Sequence, residues 1–566
     1  MNRPAKAITG ASLPALLLFV SAAAVAQTPT PTPAKPAAQP PVQEQVQLIA
    51  TPPAPPLPDL RRMGVVNGDV LALSMNDAIR RALENNNDIE VARGDVRVAE
   101  QRLRALFGAY DPVFQITPSF DQRITPVTSV FGGAGASGTV STKTLTFSPT
   151  LSKFFQTGGG SYELQFNNTR TTTSATNSTL SPYYSSDLTL LYTQPLLRNR
   201  SIDANRHAIR VQKKLLSQTD ADFRQRTIEI ISQAQAAYWD LVFALRSQQN
   251  QLESLNVSRQ NLKNIEAQIA VGAMAPLDRA QVLTDIATRE ANLLTATQGV
   301  TTAENSLKQL LLKDSASSEW SAQITPTDTP ALDMLPIDLG GALEEARKNR
   351  PELARLNLQK EINSIDVQYY RNQTRPEINL TGSITSSGLA GAQAPCGAVT
   401  CPAVPANYQG GYFQTLSNIL DFKTREINVG VTISLPLRNR AAKANLAAAQ
   451  VQKEQNEASY RSQDQAVAAE VRNAAQAADI ARKRIVASRL ARESAEQQLA
   501  GEQKLYDVGR STTFLLLQRQ NELTTARTNE LQAETDYSKA LADLQRATGA
   551  TLRVNNVTVQ SSAQQP

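Results

Sequence analysis

Apolar positions along this chain change period several times, and each change marks an element boundary. Ser74 suits a helix N-cap and Asp77 its first turn. Ala78, Ala82, Ile89, Val96 and Leu103 then recur at helical spacing. The helix is predicted to stop before Asp111-Pro112, because the residue before proline avoids the α region. Past Pro112 the period falls to two, in Phe114 and Ile116, then Leu145, Phe147 and Leu151. It continues in Tyr162, Leu164 and Phe166, and in Leu188, Leu190 and Tyr192. These runs predict four short amphipathic strands. Thr157-Gly158-Gly159-Gly160 reads as a tight turn between the second and third. The connections 122–143 and 169–186 are long and rich in Thr, Ser and Gly. Short turns at one end and long loops at the other are the pattern of a bacterial barrel.

Pro195-Leu196-Leu197-Arg198-Asn199-Arg200 closes the strand region, and residues 200–270 hold no proline or glycine. A helix of that length would run roughly 105 Å. Ile230, Ala234, Ala237, Leu241, Leu245, Leu252, Leu255, Leu262, Ile265 and Ile269 recur mostly at threes and fours, as in coiled coils. Val271-Gly272-Ala273-Met274-Ala275-Pro276 breaks the run, and a returning helix is expected over 277–313.

The pattern is then written a second time. Displaced by 264 residues, 74–117 falls on 338–381 without a gap, with Ala78 on Ala342, Ala82 on Ala346, Asn85 on Asn349 and Pro112 on Pro376. Ile378, Leu380 and Ile384 alternate after Pro376, and Ile427, Val429, Val431, Ile433 and Leu435 alternate before Leu435-Pro436-Leu437-Arg438-Asn439-Arg440, which repeats the earlier strand ending. A long helix follows to Val508-Gly509-Arg510-Ser511-Thr512, and a last one is expected over 513–548.

The expected division is therefore a leader at 1–26, a linker at 27–70, a first repeat at 71–325, a second at 326–550 and a tail at 551–566. The first repeat has strands within 112–197 and a helical hairpin at 199–313. The second has strands within 376–436 and a hairpin at 439–548. The leader has Arg3 and Lys6 before an apolar core and Ala24-Val25-Ala26 as a cleavage site, the form of a secretory signal. Eleven prolines between 28 and 58 make the linker a semi-rigid spacer.

Composition removes several classes. Charged residues make up 19% with both signs mixed, so the net +6 gives no basic block for nucleic acid. His207 is the one histidine, lies between Arg206 and Arg210, and reads as an exposed helix residue. No cofactor or metal site is expected. Clustered His, Cys or carboxylate sets are lacking, and Thr157–Gly160 precedes a strand rather than a helix, so it is no phosphate cradle and an enzyme is not expected. Cys396 and Cys401, the only cysteines, could form a local disulfide after export. The mature chain has no run of about 20 apolar residues, so a membrane crossing must use a closed barrel. Six strands are too few for one, and helices this long cannot bury their stripes alone. A closed cyclic oligomer answers both shortfalls.

With that order in view, residues about 70–550 resemble the TolC-like outer membrane efflux proteins. The resemblance rests on Ala78 with Asn85, Tyr110-Asp111-Pro112, Pro195-Leu196-Leu197-Arg198 and Gln235-Ala236-Ala237-Tyr238-Trp239-Asp240-Leu241. Val271-Gly272, Val508-Gly509 and Leu541-Ala542-Asp543-Leu544 with Thr548-Gly549 also carry it. It implies an α+β membrane protein with internal duplication: a homotrimer whose transmembrane β-barrel in the outer-membrane lipid is continued by a long α-helical periplasmic barrel. It implies a passive exit duct for efflux or type I secretion, working with a periplasmic adaptor and an inner-membrane pump. A structural or adhesive coiled-coil surface protein is the alternative. The resemblance places adaptor docking at Val271, Gly272, Ala273 and Ala275, and at Val508, Gly509, Arg510 and Thr512. It places the periplasmic gate near Leu515, Gln518, Asp278 and Tyr506. Where the family often carries acids after the second Val-Gly, this chain has Leu515 and Gln518. A Leu515 ring would be an apolar constriction that dewets; the other reading makes Phe514–Leu517 plain helix core. The family's barrel takes two strands per repeat, twelve in all. Four strands in the first repeat here would make eighteen, unless two form a hairpin outside the barrel.

Overall fold

The computed structural model describes residues 60–62, 65, 70–330, 336–394 and 403–559. The leader, most of the Pro-rich linker, Cys396 and Cys401 lie outside the described residues.

The first helical run is broken where the sequence predicts continuity. Helix α1 is Met75–Asn85 and α2 is Asn87–Phe107, with Asn86 extended between them. Asn86 uses its side-chain oxygen to accept from the Asp88 and Ile89 amides, which caps α2. The second repeat breaks at the equivalent place: α5 is Leu339–Asn349, α6 is Pro351–Gln373, and Arg350 is extended. Both breaks serve the same end. Asn85, Asn86 and Asn87 donate to the carbonyls of Leu311, Leu310 and Lys313, at the end of helix α4, Pro276–Leu311. Arg350 donates to the carbonyls of Arg546 and Ala547, at the end of helix α9, Thr513–Thr548. Last-turn carbonyls have no partner within their own helix, and these side chains supply it.

Arg350 also shares Glu470 with Arg546, at 2.7 Å from each. Burial pushes the Glu470 carboxyl up, but the two guanidinium groups outweigh it and hold it below its ordinary 4.5. A depressed carboxylate stabilises the fold above its ordinary range and loses that contribution as pH falls through the folded value. Protection factors at the end of α9, which normalise exchange for its intrinsic slowing in acid, are therefore expected to fall below pH about 4.5 relative to pH 7. In a Glu470→Gln variant this acid-induced step should be absent.

Strands follow each short helix pair. After α2 come β2 (Val113–Pro126), β3 (Thr139–Phe154), β4 (Ser161–Thr173) and β5 (Leu180–Pro195). After α6 come β7 (Glu377–Gln393) and β8 (Arg425–Ser434), with a nine-residue helix α7 (Tyr412–Leu420) between them. All six join one antiparallel sheet in the order β2-β3-β4-β5-β7-β8. The β3–β4 hairpin is thus an integral part of the sheet. Within one chain the sheet is open, and β2 and β8 are its edges.

Strand register sorts the side chains onto two faces. Phe120, Leu145, Leu164, Leu190, Ile384, Ile427 and Val429 share one face, which is apolar. The other carries Thr, Ser and Asn, together with Asp121, Arg123, Glu163, Asp187, Glu377 and Glu426. Charge is segregated as well: the strand charges on the apolar face are Lys143, Lys153, Arg170 and Arg425, all basic.

Two long helices run the full length below the sheet, α3 (Ala204–Ala270) and α8 (Arg440–Asp507). At 67 residues α3 extends about 100 Å. Shorter helices fill in beside them. Near the sheet the order across the layer is α2-α3-α6-α8, and farther away it is α4-α3-α9-α8. Apolar clusters hold α2 and α4 to α3 and α9 to α8, such as Leu255, Leu262, Ile265, Val282, Ile286 and Leu293 between α3 and α4. A small parallel ladder of β1 (Val70–Leu73) and β6 (Gln323–Pro326) braces the middle, and α10 (Thr551–Val554) follows α9. Among the described residues, no helix is long and apolar enough to cross a membrane.

Candidate functional site

The far ends of the long helices are two turns of the same construction. At the first, Gly272 takes φ +76°, its amide donates to the Ile269 carbonyl and that of Ala273 to the Gln268 carbonyl. At the second, Gly509 takes φ +71°, its amide donates to Tyr506 and that of Arg510 to Leu505. This is the left-handed helix ending that favours glycine. A Cβ on either glycine would meet nothing within 4 Å, so backbone conformation alone requires them. Ala273, Ala275, Arg510 and Thr512 are exposed, and so are Val271, Leu277 and Val508. The tips thus present apolar side chains to open space.

The gate candidates divide. The run Phe514–Leu517 is half core: Leu516 and Leu517 are buried, whereas Phe514 and Leu515 are exposed. Leu515 lies in the first turn of α9, its amide bonded to the capping Thr512 hydroxyl. Gln518 faces an open groove between α4 and α8, beside Phe514, Asn521 and Glu522. It donates to Glu522, whose carboxyl is held below its ordinary range by Arg519 first and Gln518 second. Asp278 sits half-buried in the first turn of α4, where a carboxylate suits the positive helix end. The Tyr506 hydroxyl meets the Met274 sulfur at 3.7 Å, so the two tips touch within one chain.

Sequence periodicity missed the seam between the two helical hairpins. Where α3 meets α9, Asn250 donates to Thr528 at 2.9 Å, Ser254 bonds Thr524, and Asn261 donates to Gln520. Each hairpin has an apolar interior, while this contact between hairpins is largely hydrogen-bonded, with Leu517 added.

The junction under the sheet is the other polar centre. Asn199 and Asn439, matched by the duplication, both take positive φ, at +66° and +41°. Asparagine tolerates this conformation better than other side chains, which accounts for both Arg-Asn-Arg sequences. Arg206 binds Asp203 and donates to the Asn199 and Arg200 carbonyls. His207 differs from its expected exposure: its Nε2 is 2.7 Å from Asp366 and its ring stacks on Tyr369. Among the described residues, no group of His, Cys, Asp and Glu could hold a metal ion.

The sequence profile described as outer membrane efflux protein matches residues 342–550. Among curated protein sequences none matches the chain. Solved structures do. The outer-membrane channel OprN shares 18% identity over 84% of this chain and 89% of its own, with a TM-score of 0.57. The CmeC outer membrane channel of Campylobacter jejuni shares 15% over 84% and 86%, at 0.60. The open-state MtrE channel of Neisseria gonorrhoeae shares 16% over 84% and 88%, at 0.55.

Proposed function

We propose that this chain, which shares its fold with solved outer-membrane channels and matches the outer membrane efflux protein profile over residues 342–550, is an outer-membrane efflux channel protein, three copies of which close into one duct that completes a tripartite efflux or type I secretion system. The observation that carries the closure is a coincidence of edges. The sheet ends on β2 and β8, and the helical layer ends on α2 or α4 and on α8. β2 continues from α2 and β8 continues into α8, so sheet and helices share both edges. One rotation can then close both layers at once. It pairs β8 antiparallel to the neighbour's β2, which removes two open edges. It also covers Val451, Ile480, Val486 and Leu490 of α8 with Val91, Val98 and Leu294 of the neighbouring edge, all exposed in one chain. Six strands from each of three copies make an eighteen-stranded barrel, within the range of such barrels.

In this assembly the apolar sheet face meets lipid and the polar face lines the pore. The lining is acidic, with Asp121, Glu163, Asp187, Glu377 and Glu426 against Arg123, and favours cations. The exposed apolar tips at Val271, Leu277 and Val508 form the docking ring for a periplasmic adaptor, and an inner-membrane pump delivers the cargo. The polar seam lets α8 and α9 shift against α3 and α4 by exchanging hydrogen bonds. Leu515, exposed at the tip end of α9, forms the constriction.

Reconstitution in planar bilayers tests this reading. A trimer by mass with cation-selective conductance is expected, and a monomer without conductance would refute it. Leu515→Asp should raise the closed-state conductance and the cation preference. If that variant conducts like the parent, Leu515 is not the gate.

A further inference from the structure

Helix α7 has no counterpart in the first repeat, and its placement is unusual. Ser386 Oγ donates to the Ile419 carbonyl at 2.7 Å, and the Tyr412 hydroxyl donates to Asn168 at 3.1 Å. The Tyr184 and Tyr412 rings lie 6.0 Å apart. Register puts Asn168, Tyr184, Ser386 and Gly388 on the apolar face of the sheet, directly beyond Leu190 and Ile384. The approach is close: a Cβ on Gly388 would stand 2.2 Å from the Thr415 carbonyl oxygen. So α7 lies flat on the outside of the sheet, at the end of the apolar band away from the helices.

Thr415 and Ile419 are buried against the strands. Phe413 and Leu420, seven residues apart and so on one side of the helix, are 84% and 81% exposed. The chain then makes a costly turn. Phe422, just past the helix end, takes φ +55°, where glycine is usual, and keeps a ring that is 44% exposed. Two cations follow, Lys423 and Arg425, the second on the apolar face. Lys423 pairs with Asp421 at 3.2 Å, both well exposed. Apolar side chains directed away from the protein, with cations beside them at the end of an apolar band, match an interfacial helix.

We propose that α7 is an interfacial helix lying in the outer leaflet of the outer membrane, against the barrel wall. Phe413, Leu420 and Phe422 enter the acyl layer, and Lys423 and Arg425 meet lipid phosphates. The occupant follows from continuity: the surface that α7 extends is the lipid-facing band, and the strand charges on that face are all basic. The inference rests on the barrel reading above, and the test separates the two.

The full-length trimer is reconstituted as Phe413→Trp, and separately as Val429→Trp, in vesicles of phosphatidylcholine brominated near the headgroup. Trp239 and Trp320 sit in the helical body and give a constant background. An indole about 5–10 Å into the interface should lose roughly half its emission to bromine. Quenching of both variants supports the proposal. Quenching of Val429→Trp alone overturns it and leaves the barrel standing. A blue-shifted but unquenched Phe413→Trp means a protein contact and also overturns it. Quenching of neither removes the barrel reading and the proposal with it. Adding phosphatidylglycerol should deepen the quenching of Phe413→Trp, and Lys423→Gln with Arg425→Gln should abolish that gain. An unchanged gain would refute the phosphate contact.

Discussion

Glu304→Ala is expected to destabilise the middle of the helical body by about 3–5 kcal/mol, the usual cost of removing one partner from a buried ion cluster. Glu304 is 1% exposed and accepts from Arg62 and from the Ile324 amide, the latter at 2.7 Å. Lys308, one turn on, is 3% exposed and donates to the Trp320 and Ala322 carbonyls at 2.7 and 2.6 Å. Burial pulls the Lys308 ammonium below its ordinary range, with Glu304 opposing that pull and Arg62 adding to it. Without Glu304 two cations remain buried together, and β6 loses an amide partner. Hydrogen exchange across β1, β6 and the end of α4 should rise many-fold, while the tips stay protected. A chain of this size does not unfold in one step, so this local readout is preferred to a single melting temperature. Replacing Glu304 and Lys308 together by methionine should restore part of the loss. If the double variant is no better than Glu304→Ala, charge burial is not the cause.

Gly159→Val is expected to disrupt the junction between sheet and helices. The residue holds φ +71°, which costs a branched side chain about 1–2 kcal/mol. Its Cβ would also stand 2.6 Å from both the Asn199 carbonyl oxygen and an Arg206 nitrogen. Overpacking of this kind adds about 1–3 kcal/mol, and here it falls on the backbone that turns β5 into α3. Gly138 is the control, because it holds φ +67° with nothing within 4 Å of a Cβ. The yield of protease-resistant oligomer should fall far more for Gly159→Val than for Gly138→Val. Equal losses would mean that strain alone acts and the contact with Arg206 contributes nothing.

These two sites differ in how far the sequence announces them. The turn at Thr157–Gly160 is legible because glycine punctuates alternating strands, a local rule. The Glu304 cluster is not, because Arg62 and Glu304 are 242 residues apart and the β1–β6 ladder has only four pairs. The long helices are legible over many turns, but Asn86 splits the shorter helical run before the strands into α1 and α2 to cap α4, a demand that comes from packing. Helix α7 is nine residues long, too short for periodicity to reveal, and its site on the sheet depends on Gly388.

The order of helix, strands and hairpin, its duplication and the paired Val-Gly tips follow from the sequence itself. Each rests on side-chain period or backbone φ preference, which act within a few residues. Only the tertiary structure decided which strands are edges, which face gathers the acids, and how Phe514–Leu517 splits between core and surface. It also gave His207 its partner Asp366 and made the seam between hairpins polar. Those features depend on register and on neighbours hundreds of residues away, and no local period encodes them.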